Sequence, residues 1–105
     1  MNSEQILGTW RLTKVVWDNN KETVYSDNDD WIEDYFKPDG THDRICRNRG
    51  ALQVATAAQK WIVSGEHIIV TSFDTEWHRV EELTPALLIL KKLTSEIYWH
   101  YRKMQ

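Results

Sequence analysis

The chain has 105 residues, 41% of them hydrophobic and 28% charged, with a formal net charge of −3. That size bounds a single globular domain over residues 1–105 with one modest core, and the apolar content is too high for disorder. The acidic balance argues against a nucleic-acid partner. The lone Cys46 excludes an intramolecular disulfide and a cysteine-rich zinc motif, and no apolar run reaches the ~18 residues of a membrane span.

Met1-Asn2-Ser3-Glu4-Gln5 does not read as a signal peptide. The expected compartment is the cytoplasm as the chain is written, or an exported one if a leader was removed. Ser3–Leu7 suits one short helical turn with Ser3 as its N-cap, ended by Gly8. A first strand, rich in Thr, Val and Trp, spans Thr9–Asp18, and Asp18-Asn19-Asn20-Lys21 turns it. Glu22–Asp30 is a polar, acidic connection with a short extended piece at Thr23-Val24-Tyr25. Trp31–Lys37 is the second strand. In Pro38-Asp39-Gly40-Thr41 the proline presets φ and the glycine supplies φ > 0, a strong turn.

Thr41–Arg47 forms the third strand, ended by Asn48-Arg49-Gly50. Ala51–Gln59 is ambiguous: its alanines favour helix, whereas Leu52, Val54 and Thr56 alternate as in a strand. It reads as the irregular start of a fourth strand, clear at Lys60-Trp61-Ile62-Val63. Ser64-Gly65 signals a hairpin. Further strands follow over Glu66–Ser72, Thr75–Leu83, Ala86–Leu93 and Glu96–Lys103. Eight short strands without room for a crossover helix favour sequential antiparallel pairing, and closure removes exposed edges. The expected fold is all-β: an eight-stranded antiparallel up-and-down β-barrel with a short N-terminal helical turn. A barrel of that size is filled by side chains or holds one small ligand.

Four segments, in order, carry a resemblance. They are Ile6-Leu7-Gly8-Thr9-Trp10-Arg11-Leu12; Tyr35-Phe36-Lys37-Pro38-Asp39-Gly40-Thr41; Trp61-Ile62-Val63-Ser64-Gly65 with Ile68-Ile69-Val70; and Val80-Glu81-Glu82-Leu83-Thr84 with Leu88-Ile89-Leu90. Together they resemble the lipocalin-like proteins of the calycin superfamily, in particular the short bacterial lipocalin-like domains of undetermined function. Classical lipocalins are longer, carry disulfides and end in a helix. The resemblance implies that Trp10 packs across one end of the barrel with Arg102 of the last strand against it. The alternative is an inward Arg102 that meets a ligand carboxylate, as in fatty-acid-binding relatives. Tyr98, His100 and Arg102 share one strand face, and Trp99 and Tyr101 the other. Which face is interior decides between the two.

No nucleophile elbow, phosphate loop or zinc-protease motif occurs, so a binder is favoured over an enzyme. His42 and Cys46 share a strand face but stand ~13 Å apart, too far to share a metal. A Phe73-Asp74 turn sets Ile69 opposite His78 and His67 on its diagonal, a weak pair lacking a third ligand. No metal site and no cofactor is expected; haem needs more room than this chain encloses. Asp27, Asp29, Asp30 and Glu33 read as solvated loop charge rather than a calcium loop. Asp34 alternates with Ile32 and Phe36 and is expected to point inward, paired with Arg44 of the next strand. Arg44, Arg47 and Arg49, interleaved with Asp43 and Asn48, otherwise read as a solvated face.

The expected function is binding of a small hydrophobic or amphipathic molecule in the barrel. Its candidate wall is Phe36, Arg44, Trp61, Val70, Trp77, His78, Leu88, Leu90, Trp99 and Tyr101, with room left by Ala55, Ala57 and Ala58. Two other readings stand beside it. One is an interaction module with a filled barrel and outward tryptophans, Trp17 and Trp31. The other is an enzyme with an acid–base pair at His78 and Asp34. The segment Ala86-Leu87-Leu88-Ile89-Leu90 is apolar on both faces, which makes a homodimer through Leu87 and Ile89 a further expectation.

Overall fold

The computed structural model describes residues 1–25, 30–48, 51–72 and 74–104, with backbone alone at 54–58. Expectations at Asp27, Asp29, Arg49, Gly50 and Phe73, and for the side chains of Ala55, Ala57 and Ala58, lie outside the described residues.

A 3-10 turn over Ser3–Gln5 opens the chain. Its cap is Asn2 rather than Ser3. The Asn2 side chain accepts from Gln5 N at 3.2 Å, and the Gln5 side chain accepts from Asn2 N at 2.8 Å, a reciprocal capping box that Ser3 is one residue too late to make. Nine strands run through the described residues: β1 (Gly8–Val16), β2 (Glu22–Val24), β3 (Trp31–Phe36), β4 (Thr41–Asn48), β5 (Ala51–Ser64), β6 (His67–Thr71), β7 (Thr75–Leu83), β8 (Leu87–Lys92) and β9 (Tyr98–Lys103).

Every neighbouring pair is antiparallel, and β1 also pairs with β9. Strands β1 and β3 to β9 therefore close into an eight-stranded barrel. The short β2 covers the half of β1, from Lys14 to Val16, that β3 does not reach. Strand β5 is one strand of 14 residues. The alanines lose to tertiary pairing, because β4 supplies ladder partners from Ala51 to Lys60 and β6 from Lys60 to Ser64.

Alternation sorts the side chains. Trp10, Leu12, Val15, Phe36, Trp61, Ile68, Leu88, Leu90 and Tyr101 form the buried core together with Ile6 of the opening segment. On β9 the interior face is therefore that of Trp99 and Tyr101, and His100 and Arg102 lie on the other. The backbone calls for glycine where φ is positive. Gly8 sits at φ 114° where the chain enters β1, and Gly40 at φ 85° in the β3–β4 turn. In that turn the Asp39 carboxylate accepts from Thr41 N at 2.9 Å and from its hydroxyl at 2.6 Å.

Trp10 plugs one end, 1% exposed, its indole N–H donating to Ile6 O at 2.8 Å. The cation over its ring is Lys103, with Nζ 4.5 Å from the centroid, rather than Arg102. Register explains the difference: Trp10 faces Lys103 directly, while Arg102 pairs with Arg11 and Leu87 one residue away, on the opposite strand face. The Lys103 ammonium also donates to the Leu7 carbonyl, and burial holds its pKa below the ordinary value.

Candidate functional site

Away from the Trp10 plug the interior is not filled. A cavity of about 160 Å³ lies among β3 to β9. Phe36, Ile68, Val70 and Leu90 give it an apolar wall, and Asp34, His42, Arg44, Gln59, Glu76, His78 and Tyr101 give it polar groups. It reaches solvent past Arg44 and Glu76, whose side chains are 33% and 52% exposed.

The polar groups are built into the ladder. Asp34 and Arg44 are direct partners of β3 and β4, as are Phe36 and His42, and His42 in turn faces Gln59 of β5. Asp34 is 2% exposed. Its Oδ1 accepts from Arg44 Nε at 2.8 Å and lies 3.2 Å from His42 Nε2, and its Oδ2 accepts from Arg44 Nη2 at 3.3 Å. His42 Nδ1 lies 2.8 Å from Gln59 Oε1. Burial opposes the charge on Asp34, but hydrogen bonds from His42 and Arg44 and the guanidinium's charge outweigh it. The carboxyl is held well below the usual carboxylate range. Burial likewise opposes the charge on Arg44, and the Asp34 carboxylate overcomes it, raising its pKa. The guanidinium lies over Trp99, 5.0 Å from the ring centroid.

His78 enters from β7, and its Nε2 stands 3.4 Å from the Glu76 carboxylate. Burial lowers its pKa, and Glu76 only partly restores it, so the imidazole is neutral at pH 7. Tyr101 is pushed well above its ordinary pKa by burial and by the charge of Asp34. Among the described residues the buried Trp99 indole N–H has no acceptor.

Of the residues expected in the wall, Phe36, Arg44, Val70, His78, Leu90 and Tyr101 line the cavity. Trp61 lies behind it, edge-on to Phe36 at 5.3 Å, with its N–H given to Lys37 O at 3.0 Å. Leu88 is sealed in the core, and Trp99 stands under Arg44 rather than on the cavity surface. Trp77 is not in the wall. It is 41% exposed on the outer face and packs edge-on to His67 at 5.6 Å. Trp77 and His78 are neighbours on one strand, so only one of them can point inward.

The β6–β7 register sets Ile68 opposite His78, which puts His67 and His78 on opposite faces rather than on a shared diagonal. Arg44 belongs to the interior rather than to a solvated face, while Arg47 is exposed. Leu87 and Ile89 lie half-buried on the outer face of β8. The expected wall did not include His42, Gln59, Ile68 and Glu76, which line the cavity. Two-residue steps from Trp61, Asp34–Arg44 and His78 would have placed Gln59, His42 and Glu76.

No protein-family model matches the chain, and no curated protein does. Two solved structures match over nearly the whole length. A lipocalin-like protein from Bacteroides uniformis superposes with a TM-score of 0.78 at 15% identity, covering 95% of this chain and 99% of that one. An uncharacterized protein from Bacteroides eggerthii gives a TM-score of 0.76 at 16% identity, covering 93% and 98%.

Proposed function

We propose that this chain, whose fold is lipocalin-like, is a small-molecule binding protein with its site at the Asp34–Arg44 end of the barrel. One observation carries the reading: the interior holds a cavity of about 160 Å³ with an apolar wall on one side and a hydrogen-bonded polar cluster on the other. A merely structural interior gains more from apolar filling than from buried ions, whose desolvation offsets much of their attraction. An apolar pocket with a few converging polar groups is the usual form of a ligand site. Catalysis by the pair His78 and Asp34 is the weaker reading because both are already engaged: Asp34 accepts from Arg44 and faces His42, and His78 Nε2 stands against Glu76.

The competing reading, an interaction module, draws on the outer face of β5 to β7. There Ile62 is 59% exposed and Trp77 41%, and they flank Ile69 in the ladder. Titration of the full chain with a panel of small amphipathic molecules, followed by tryptophan emission, separates the two. Saturable change abolished by Val70→Phe supports the binder. A panel that leaves the emission unmoved supports the module.

A further inference from the structure

The cavity's charge balance and its size together narrow the class of ligand, on the reading that the barrel is a binder. We propose that the site takes an uncharged, planar, hydrogen-bonding molecule, such as an aromatic amide or a small heteroaromatic ring, rather than a carboxylate or an amine. An opening of about 160 Å³ is close to the ~150 Å³ cavity that accepts benzene, so the occupant has roughly six to nine non-hydrogen atoms. A long acyl chain has no room.

Charge decides the rest. Arg44 is the cation of the cavity, and its charge is already matched by Asp34 through two hydrogen bonds. A ligand carboxylate entering here would lose its water beside the buried Asp34 carboxylate and would pass Glu76 at the mouth, two like charges against one shared guanidinium. A ligand cation meets the opposite difficulty. The Asp34 oxygens are taken by Arg44 and His42, the Glu76 carboxylate already faces Lys92 Nζ at 3.9 Å and His78 Nε2 at 3.4 Å, and the guanidinium repels a cation at short range. His78 adds no charge at neutral pH.

A neutral ligand with both a donor and an acceptor meets neither penalty. Arg44, His78 and Tyr101 line the cavity and supply the polar groups that such a ligand would meet. Phe36, Val70 and Leu90 contact the flat apolar part.

Three isosteric probes test this on the full chain at pH 7: benzamide, benzoate and benzamidinium, with decanoate as a fourth. Binding is read by tryptophan emission and by ligand-observed NMR, with Val70→Phe as the control for location. Benzamide is expected to bind at least about tenfold more tightly than either charged isostere, and Val70→Phe to remove that binding. Benzoate, benzamidinium or decanoate binding as well as benzamide or better would overturn the inference while leaving a binding barrel. Failure of all four to bind would overturn both the inference and the binding reading. Benzamide binding that survives Val70→Phe unchanged would also overturn the inference, since the site would lie elsewhere.

Discussion

Asp34 and Arg44 face each other as direct register partners of β3 and β4, so the sheet pairing and the buried ion pair fix one another. A one-residue slip of β3 in that ladder would turn Asp34 outward, leave Arg44 inside without it, and bring Glu33 of the other strand face inward.

Removing one member of this pair leaves the other charge buried and uncompensated. Asp34→Asn and Arg44→Met are each expected to destabilise the fold by ~3–5 kcal/mol. The double variant Asp34→Asn/Arg44→Met is expected to lose less than the sum, with a coupling of ~1–3 kcal/mol. Urea unfolding of the four proteins checks this, and additive losses would contradict it.

Stability should fall in two stages on acidification. His78 and His100 both have folded pKa values below the ordinary 6.5, chiefly from burial, so the unfolded chain protonates first. Their contribution is full above 6.5 and is lost as pH falls through the window beneath it. Asp34 has a folded pKa below the ordinary 3.8, so its contribution is full above that value and is lost as pH falls further. Thermal unfolding midpoints should drop below about pH 6.5 and again below about pH 4. His78→Gln should weaken the first drop and leave the second. A flat midpoint from pH 7 to 5 would contradict the assignment.

At the plugged end, Lys103 rather than Arg102 should be the residue that Trp10 senses. Lys103→Met is expected to shift the Trp10 indole signal in a proton–nitrogen NMR spectrum and to cost ~0.5–2 kcal/mol. Arg102→Met should leave that signal in place. The reverse pattern would show the last strand in the other register.

Position on β7 should separate neighbours in sequence. Trp77→Ala, on the outer face, is expected to leave ligand affinity unchanged, whereas His78→Leu, in the cavity, should lower it about tenfold, the loss of one good hydrogen bond. Equal effects from the two would contradict the alternation.

Much of this was legible in the residues. The turn chemistry of Pro38-Asp39-Gly40-Thr41 and the alternation of Ile32, Asp34 and Phe36 led to the closed barrel and to the inward Asp34–Arg44 pair. Register across turns was not legible. Whether Ile68 or Ile69 faces His78 differs by a single residue, and in a strand that step exchanges interior for exterior. The same step separates Lys103 from Arg102. Apolar character misled at Trp77, where a large ring covers Ile69 from outside while a histidine occupies the cavity. Along β5 the alanine content pointed to helix, and only the partners on either side, spread through the chain, make it a strand.

The most direct measurement of a ligand site at the Asp34–Arg44 end is a proton–nitrogen NMR titration of the full chain with small neutral aromatic fragments. The expected result is saturable shifts gathered at Phe36, Arg44, Val70, His78 and Leu90. Shifts gathered instead at Ile62, Ile69 and Trp77, with the cavity residues unmoved at saturation, would contradict it.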